Sequence, residues 1–223
     1  MTAKTYDGQT AKFIAVVVEN MPKDLTGDVM QGWIDNPTAV QKALKDAFCP
    51  PEERVEPTEK FALLKDFGII TVPDDYDHAT RLATFLEQNS KKFYGVNDDI
   101  TDEHFPNPSR ILKPGDKLRV SAFKQIVSGT TTSEERMVFL EKQGAVYTGA
   151  QGASLVFDQK RDQLPKGKWY CSFDEKNRLW KDAGGYLRVP YVNANSDGGF
   201  RFSLDYFEFT WSGGAALLCF SDL

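Results

Sequence analysis

Three sets of side chains in this sequence have types and spacings that could do chemistry: two histidines, two runs of carboxylates and three cysteines. His78 and His104 belong to no zinc or catalytic motif, so both are expected to be structural or solvent-exposed. Asp74, Asp75 and Asp77, and further on Asp98, Asp99, Asp102 and Glu103, are dense enough to pair as acid and base. Anions at a helix N-terminus account for the first set, and Asx turns in a turn-rich stretch account for the second. Cys49, Cys171 and Cys219 lack CxxC spacing, and the last two lie in apolar, strand-like runs, which predicts buried free thiols. No GxSxG, Walker, GxGxxG or HExxH spelling occurs. Nucleophilic, phosphoryl-transfer and nucleotide chemistry thus lack their usual markers, and neither a catalytic residue nor a cofactor is assigned.

One spelling resembles a metal loop. Asn193-Ala-Asn195-Ser-Asp197-Gly198 places oxygen ligands at alternate positions with glycine sixth, as at the opening of a calcium loop. The twelfth position is Leu204 where a bidentate Glu is required, so an EF-hand is excluded. A looser calcium site and an ordinary Asx-rich turn remain as alternatives.

The elements that must position these residues follow from pattern. With 223 residues, 41% hydrophobic and 13% aromatic, the chain can bury the core of one large domain or two small ones. A net charge of -5 gives no basic footprint for nucleic acid. The N-terminal residues lack the apolar core of a signal peptide, and the apolar run Phe13 to Val18 is too short to span a membrane. The default expectation is a soluble, cytoplasmic protein.

Residues 12–20 are β-branched and read as a buried strand. Asn36-Pro37 reads as a helix start, with Val40, Ala43, Leu44, Ala47 and Phe48 on one face before Cys49-Pro50-Pro51 ends it. A short strand, 68–72, precedes a helix carrying Tyr76, Ala79, Leu82, Ala83 and Leu86. Turn residues crowd 96–114, which sets an expected boundary between an α+β region, 1–108, and a second domain, 109–223. A strand over 117–127 follows, then a capping box of Thr132 and Glu135 opens a helix with Met137, Phe139 and Leu140 that stops at Gly144. Beyond Gly144 only strands are expected: 153–157, 168–173 with Trp169, Cys171 and Phe173 on one face, 199–207 and 215–220. The fold class is α+β.

The stretch 186–220 is the most informative. Phe200, Phe202 and Leu204 alternate with Arg201, Ser203 and Asp205, so one strand face packs and the other is displayed. Trp211 and the run Ala215 to Phe220 supply an anchor and a closing strand. This arrangement resembles the variable region of the target proteins of diversity-generating retroelements, which have a C-type lectin fold of the formylglycine-generating-enzyme type. The resemblance implies a C-type-lectin-like domain over 109–223 and a variable ligand-binding region over 188–218. In that family adenine-directed mutagenesis, mostly of Asn codons, varies solvent-facing positions between fixed scaffold residues. Tyr191, Asn193, Asn195, Asp197, Arg201, Asp205, Tyr206, Thr210, Ser212, Gly213 and Gly214 belong to the residue types reachable that way. Trp211 would be scaffold, and Glu208, counted among the site residues, departs from the pattern.

The function implied is non-enzymatic binding of a macromolecular ligand, in the first place a protein, with Tyr191, Arg201 and Tyr206 as anchors. Two alternatives share the fold. One is a calcium-dependent carbohydrate binder using Asn193, Asn195 and Asp197; the other is a formylglycine-generating-enzyme-like oxidase using Cys171 and Cys219.

Overall fold

A computed structural model describes residues 26–37 and 59–223, together with Lys12, Ala15, Val16 and Glu19. The chain divides into two compact units, Met1–Val55 and Glu56–Leu223. In the first, Lys12, Ala15, Val16 and Glu19 are helical, which corrects the strand expected over 12–20. A short apolar run does not by itself separate a strand from a helix segment. Helix α1 spans Gly27–Asp35. Asn36 then lies outside a helix and Pro37 inside one, as the Asn-Pro start predicts. The rest of that expected helix, with Cys49, lies outside the described residues.

The second unit is built on one seven-stranded sheet: β1 (Phe61–Thr71), β2 (Phe93–Val96), β3 (Lys117–Gln125), β4 (Lys168–Cys171), β5 (Arg188–Ala194), β6 (Phe200–Tyr206) and β7 (Ala215–Asp222). Their spatial order is β1-β3-β7-β4-β5-β6-β2. Pairing is antiparallel except between β4 and β7 and between β2 and β6. Because β1 and β2 pair with β3 and β6, the turn-rich stretch expected to end a domain at 108 is a connection inside this unit.

Helices α2 (Arg81–Asn89), α3 (Ser133–Lys142) and α4 (Gly149–Lys160) complete the unit. On β7, Ala216, Leu218 and Phe220 enter one core with Phe85 of α2 and Ala153 and Val156 of α4. Ala215, Leu217 and Cys219 enter a second core with Leu140 of α3 and Phe173, Phe207 and Trp211. A strand buried on both faces reads as a continuous apolar run, which is the run 215–220. The α+β class holds.

Helix α4 overturns the expectation of β structure alone after Gly144. Nine of its residues, from Gly149 to Phe157, are buried, so it has no polar stripe to mark a helical period. The second expected helix is also shorter at its start: a 3-10 turn, His78–Thr80, precedes α2, and Tyr76 lies outside both. Asp77 caps the 3-10 turn, accepting from the Ala79 amide at 3.1 Å and the Thr80 hydroxyl at 3.0 Å. Asp102, from the second acidic run, caps α2 by accepting from the Leu82 and Ala83 amides at 2.8 and 3.0 Å. His78 bonds the Tyr76 hydroxyl and the Pro106 carbonyl, and His104 stacks on Trp180 at 4.2 Å. No helix among the described residues is long and apolar enough to cross a membrane.

Candidate ligand-binding surface

The β5–β6 register brings Tyr191 opposite Ser203, Asn193 opposite Arg201 and Val189 opposite Asp205. Alternation then puts Tyr191, Asn193, Arg201 and Asp205 on one sheet face. That face is graded and not uniformly displayed. Arg201 is exposed, Asp205 is half-buried and Ser203 is buried. The second core, with Phe207 and Phe173, covers the face toward its Arg188–Tyr206 end and leaves the β5–β6 turn end open.

At the open end, Trp169 of β4 pairs with Asn193 and stacks on Tyr191 at 5.8 Å. Tyr94 of β2, 58% exposed, brings its hydroxyl to Asn193 Nδ2 at 3.5 Å and to Asn195 Oδ1 at 3.4 Å. Gly95 lies beside the Arg201 side chain, where a Cβ would sit 3.8 Å from its Cγ. Tyr94 and Trp169 therefore complete a patch with Tyr191, Asn193 and Arg201. Neither was a sequence candidate, because each comes from a strand distant in the chain. Their signal is the large exposed aromatic ring on a strand.

Asp205 and Tyr206 sit toward the opposite end of the β5–β6 pair, about 13 and about 17 Å from Arg201 at the usual strand rise, and Glu208 lies beyond them. Tyr206 turns to the other sheet face. The Arg188 guanidinium lies over its ring at 3.9 Å, and Tyr186 and Phe209 flank it at 5.4 and 4.6 Å. Glu208 is exposed, yet its Oε1 accepts from the Leu187 amide at 3.1 Å, so it also fastens the loop.

The loop 207–214 joins β6 to β7 and carries Thr210, Ser212, Gly213 and Gly214. It is held through its backbone atoms together with the side chains of Phe207, Glu208 and Trp211. Thr131 and Trp211 exchange both amide–carbonyl bonds, at 3.0 and 2.8 Å. Ser133 Oγ donates to the Phe207 carbonyl at 2.7 Å and accepts from Trp211 Nε1 at 2.7 Å. Arg136, fully buried, donates to the Ser212 and Ala215 carbonyls at 3.3 and 3.1 Å, and its guanidinium lies 5.4 Å from the Trp211 ring centre. From β4, Lys168 Nζ donates to the Gly213 carbonyl and the Trp169 amide to the Gly214 carbonyl. Thr210 and Ser212 meanwhile face solvent.

Of the calcium-like spelling, Asn195 Oδ1 accepts from Tyr94 and Asp197 Oδ1 from the Gly199 amide at 2.9 Å. No group of three or more His, Cys, Asp or Glu that could hold a metal ion occurs among the described residues. Cys171 and Cys219 are free and buried, and burial pushes their thiols up to about 12 and about 11, away from the reactive thiolate.

Comparison with family models, with curated proteins and with solved structures finds no match to this chain.

Proposed function

We propose that this protein is a non-enzymatic ligand-binding protein whose recognition surface is the open end of the sheet, Tyr94, Trp169, Tyr191, Asn193 and Arg201, continued by the loop 207–214. Under this reading the scaffold is C-type-lectin-like, and the surface is diversified as in retroelement target proteins. The observation that carries it is how the loop is held. Its carbonyls and Trp211 are gripped by Thr131, Ser133 and Arg136, while the side chains at 210 and 212 point outward. A backbone fastened in this way tolerates exchange of its outward side chains, which a diversified surface requires. Aromatic residues and an arginine on a rigid sheet end supply the contact types that dominate binding hot spots. The partner is a macromolecule, a protein by preference, since the patch is open and lies on a sheet face and not in an enclosed pocket.

The test is genomic. DNA flanking the gene should contain a near-copy of the segment encoding 188–218, differing chiefly at adenines, beside a reverse-transcriptase gene. Absence of both from complete flanking sequence would remove the diversification, and binding by the surface would then have to stand on its own.

A further inference from the structure

On the other side of the β5–β6 turn from the aromatic patch lies a half-open cleft of about 220 Å³. Leu164, Ala194 and Phe200 form its apolar floor, and Arg161, Asp162, Lys166 and Asn195 stand around it. We propose that this cleft receives the carboxylate of an acidic side chain on a peptide ligand.

Charge gives the sign. Two cations and one carboxylate line a cleft on a protein of net charge -5, an excess of one positive charge, so anion affinity here must be local. Of the two cations, Arg161 pairs with a carboxylate of the lining and Lys166 is the one left for a ligand. Asp162, 3.5 Å from Arg161 Nε, is its chain neighbour with an 87% exposed side chain, and Asp197 turns one oxygen to the Gly199 amide. Lys166 makes no ion pair among the described residues, and its Nζ lies over the turn, 3.3 Å from where a Cβ on Gly198 would stand.

Size gives the class. The cleft, about 220 Å³, is smaller than the about 300–1,000 Å³ of typical small-molecule sites. It therefore fits one side chain of a larger ligand, with an aliphatic stem on Phe200 and Leu164 and the acid against Lys166. Asn195 belongs both to the cleft and to the Tyr94 network, so one peptide can bridge the turn and engage both.

This inference goes beyond the reading above and needs neither codon variation nor a known partner. Its test is a titration of the full chain with butyrate and, separately, butylammonium at constant ionic strength, read by the amide NMR shifts of Gly167, Asn195 and Gly198. Butyrate is expected to shift all three saturably. K166Q, a change at an exposed position, is expected to weaken that binding about three- to five-fold, the effect of one exposed charge pair. Equal shifts with butylammonium, no shift with butyrate, or butyrate binding undiminished in K166Q would overturn it.

Discussion

Arg136 is a buried cation whose partners are carbonyls, a hydroxyl and a side-chain amide: Ser212, Ala215, Thr131 and Gln125. Burial lowers its pKa to about 10, so the fold bears a desolvation cost for keeping the charge inside. What the cost secures is the loop, since a guanidinium reaches several acceptors at once. Arg136→Met would strip a donor from each of these acceptors, of which Ser212 keeps the Ala215 amide and Gln125 the Thr131 hydroxyl, and should destabilise by about 2–3 kcal/mol in urea unfolding. The Cys171 thiol makes a second, pH-dependent case. Its ordinary value is 9.0 and burial raises it to about 12, so the fold keeps a proton that the unfolded chain releases above 9.0. The associated stability is whole below 9.0 and is lost as pH rises toward about 12. Between about pH 8 and about pH 10 the wild type should lose about 1 kcal/mol through this group. Cys171→Ala, whatever its cavity costs at both pH values, should show a correspondingly shallower fall across the same interval. Equal slopes would mean the thiol is not isolated from water.

Among the elements, those with chemical punctuation were legible and those without it were not. The capping box at Thr132 and Glu135 forms with both reciprocal bonds, and Gly144, at φ +68, follows the end of α3 as expected. β3 kept its alternation of Leu118, Val120 and Ala122 because one face is buried more deeply than the other. β1 was seen only at its end, since bulges between Leu63 and Lys65 and between Asp66 and Gly68 break the period of two. β5 contains Pro190, which argues against a central strand; the proline still serves there because its carbonyl accepts from Ser172. α4 is hidden by burial on all sides and by two glycines, Gly149 and Gly152, the second of which is structural. A Cβ on Gly152 would lie 1.9 Å from Thr148 Oγ1 and 3.0 Å from the Phe220 ring, so α4 approaches β7 only because this position has no side chain. Gly152→Ala should overpack by about 1–3 kcal/mol, offset in part by about 1 kcal/mol of helix propensity. The unfolding midpoint should fall, and Thr148→Ala in the same chain should recover part of the loss; a Gly152→Ala protein as stable as the parent would show that the helix can move away from the sheet.

At the scale of the whole molecule, scaffold and surface separate along lines only partly visible in sequence. The 191–214 stretch carries the alternation of β6 and a large anchor, Trp211, 3% exposed and bonded to Ser133. The sequence could not reveal that the open end is completed by Tyr94 and Trp169, because strand order brings β2 and β4 beside β6 and β5. The alternation that puts Phe200, Phe202 and Leu204 on the packing face already puts Tyr206 with them, against its choice as a displayed anchor; the Arg188 guanidinium over its ring is what strand pairing adds. These placements divide the twelve candidates by mechanical role, and the division is measurable. Asn193, Arg201, Thr210 and Ser212 lie at the open end or on the outward side of the loop. Replacing all four with Ala should change stability by no more than about 0.5 kcal/mol per position, the usual range for surface sites. Glu208→Ala should cost about 1 kcal/mol by releasing the Leu187 amide. Trp211→Ala, which empties a buried site and removes one of the two hydrogen bonds of the Ser133 hydroxyl, should cost about 3–5 kcal/mol. Chemical denaturation of the three variants orders these costs. If the quadruple variant proved the least stable, the open end would be part of the scaffold and not a surface free to vary.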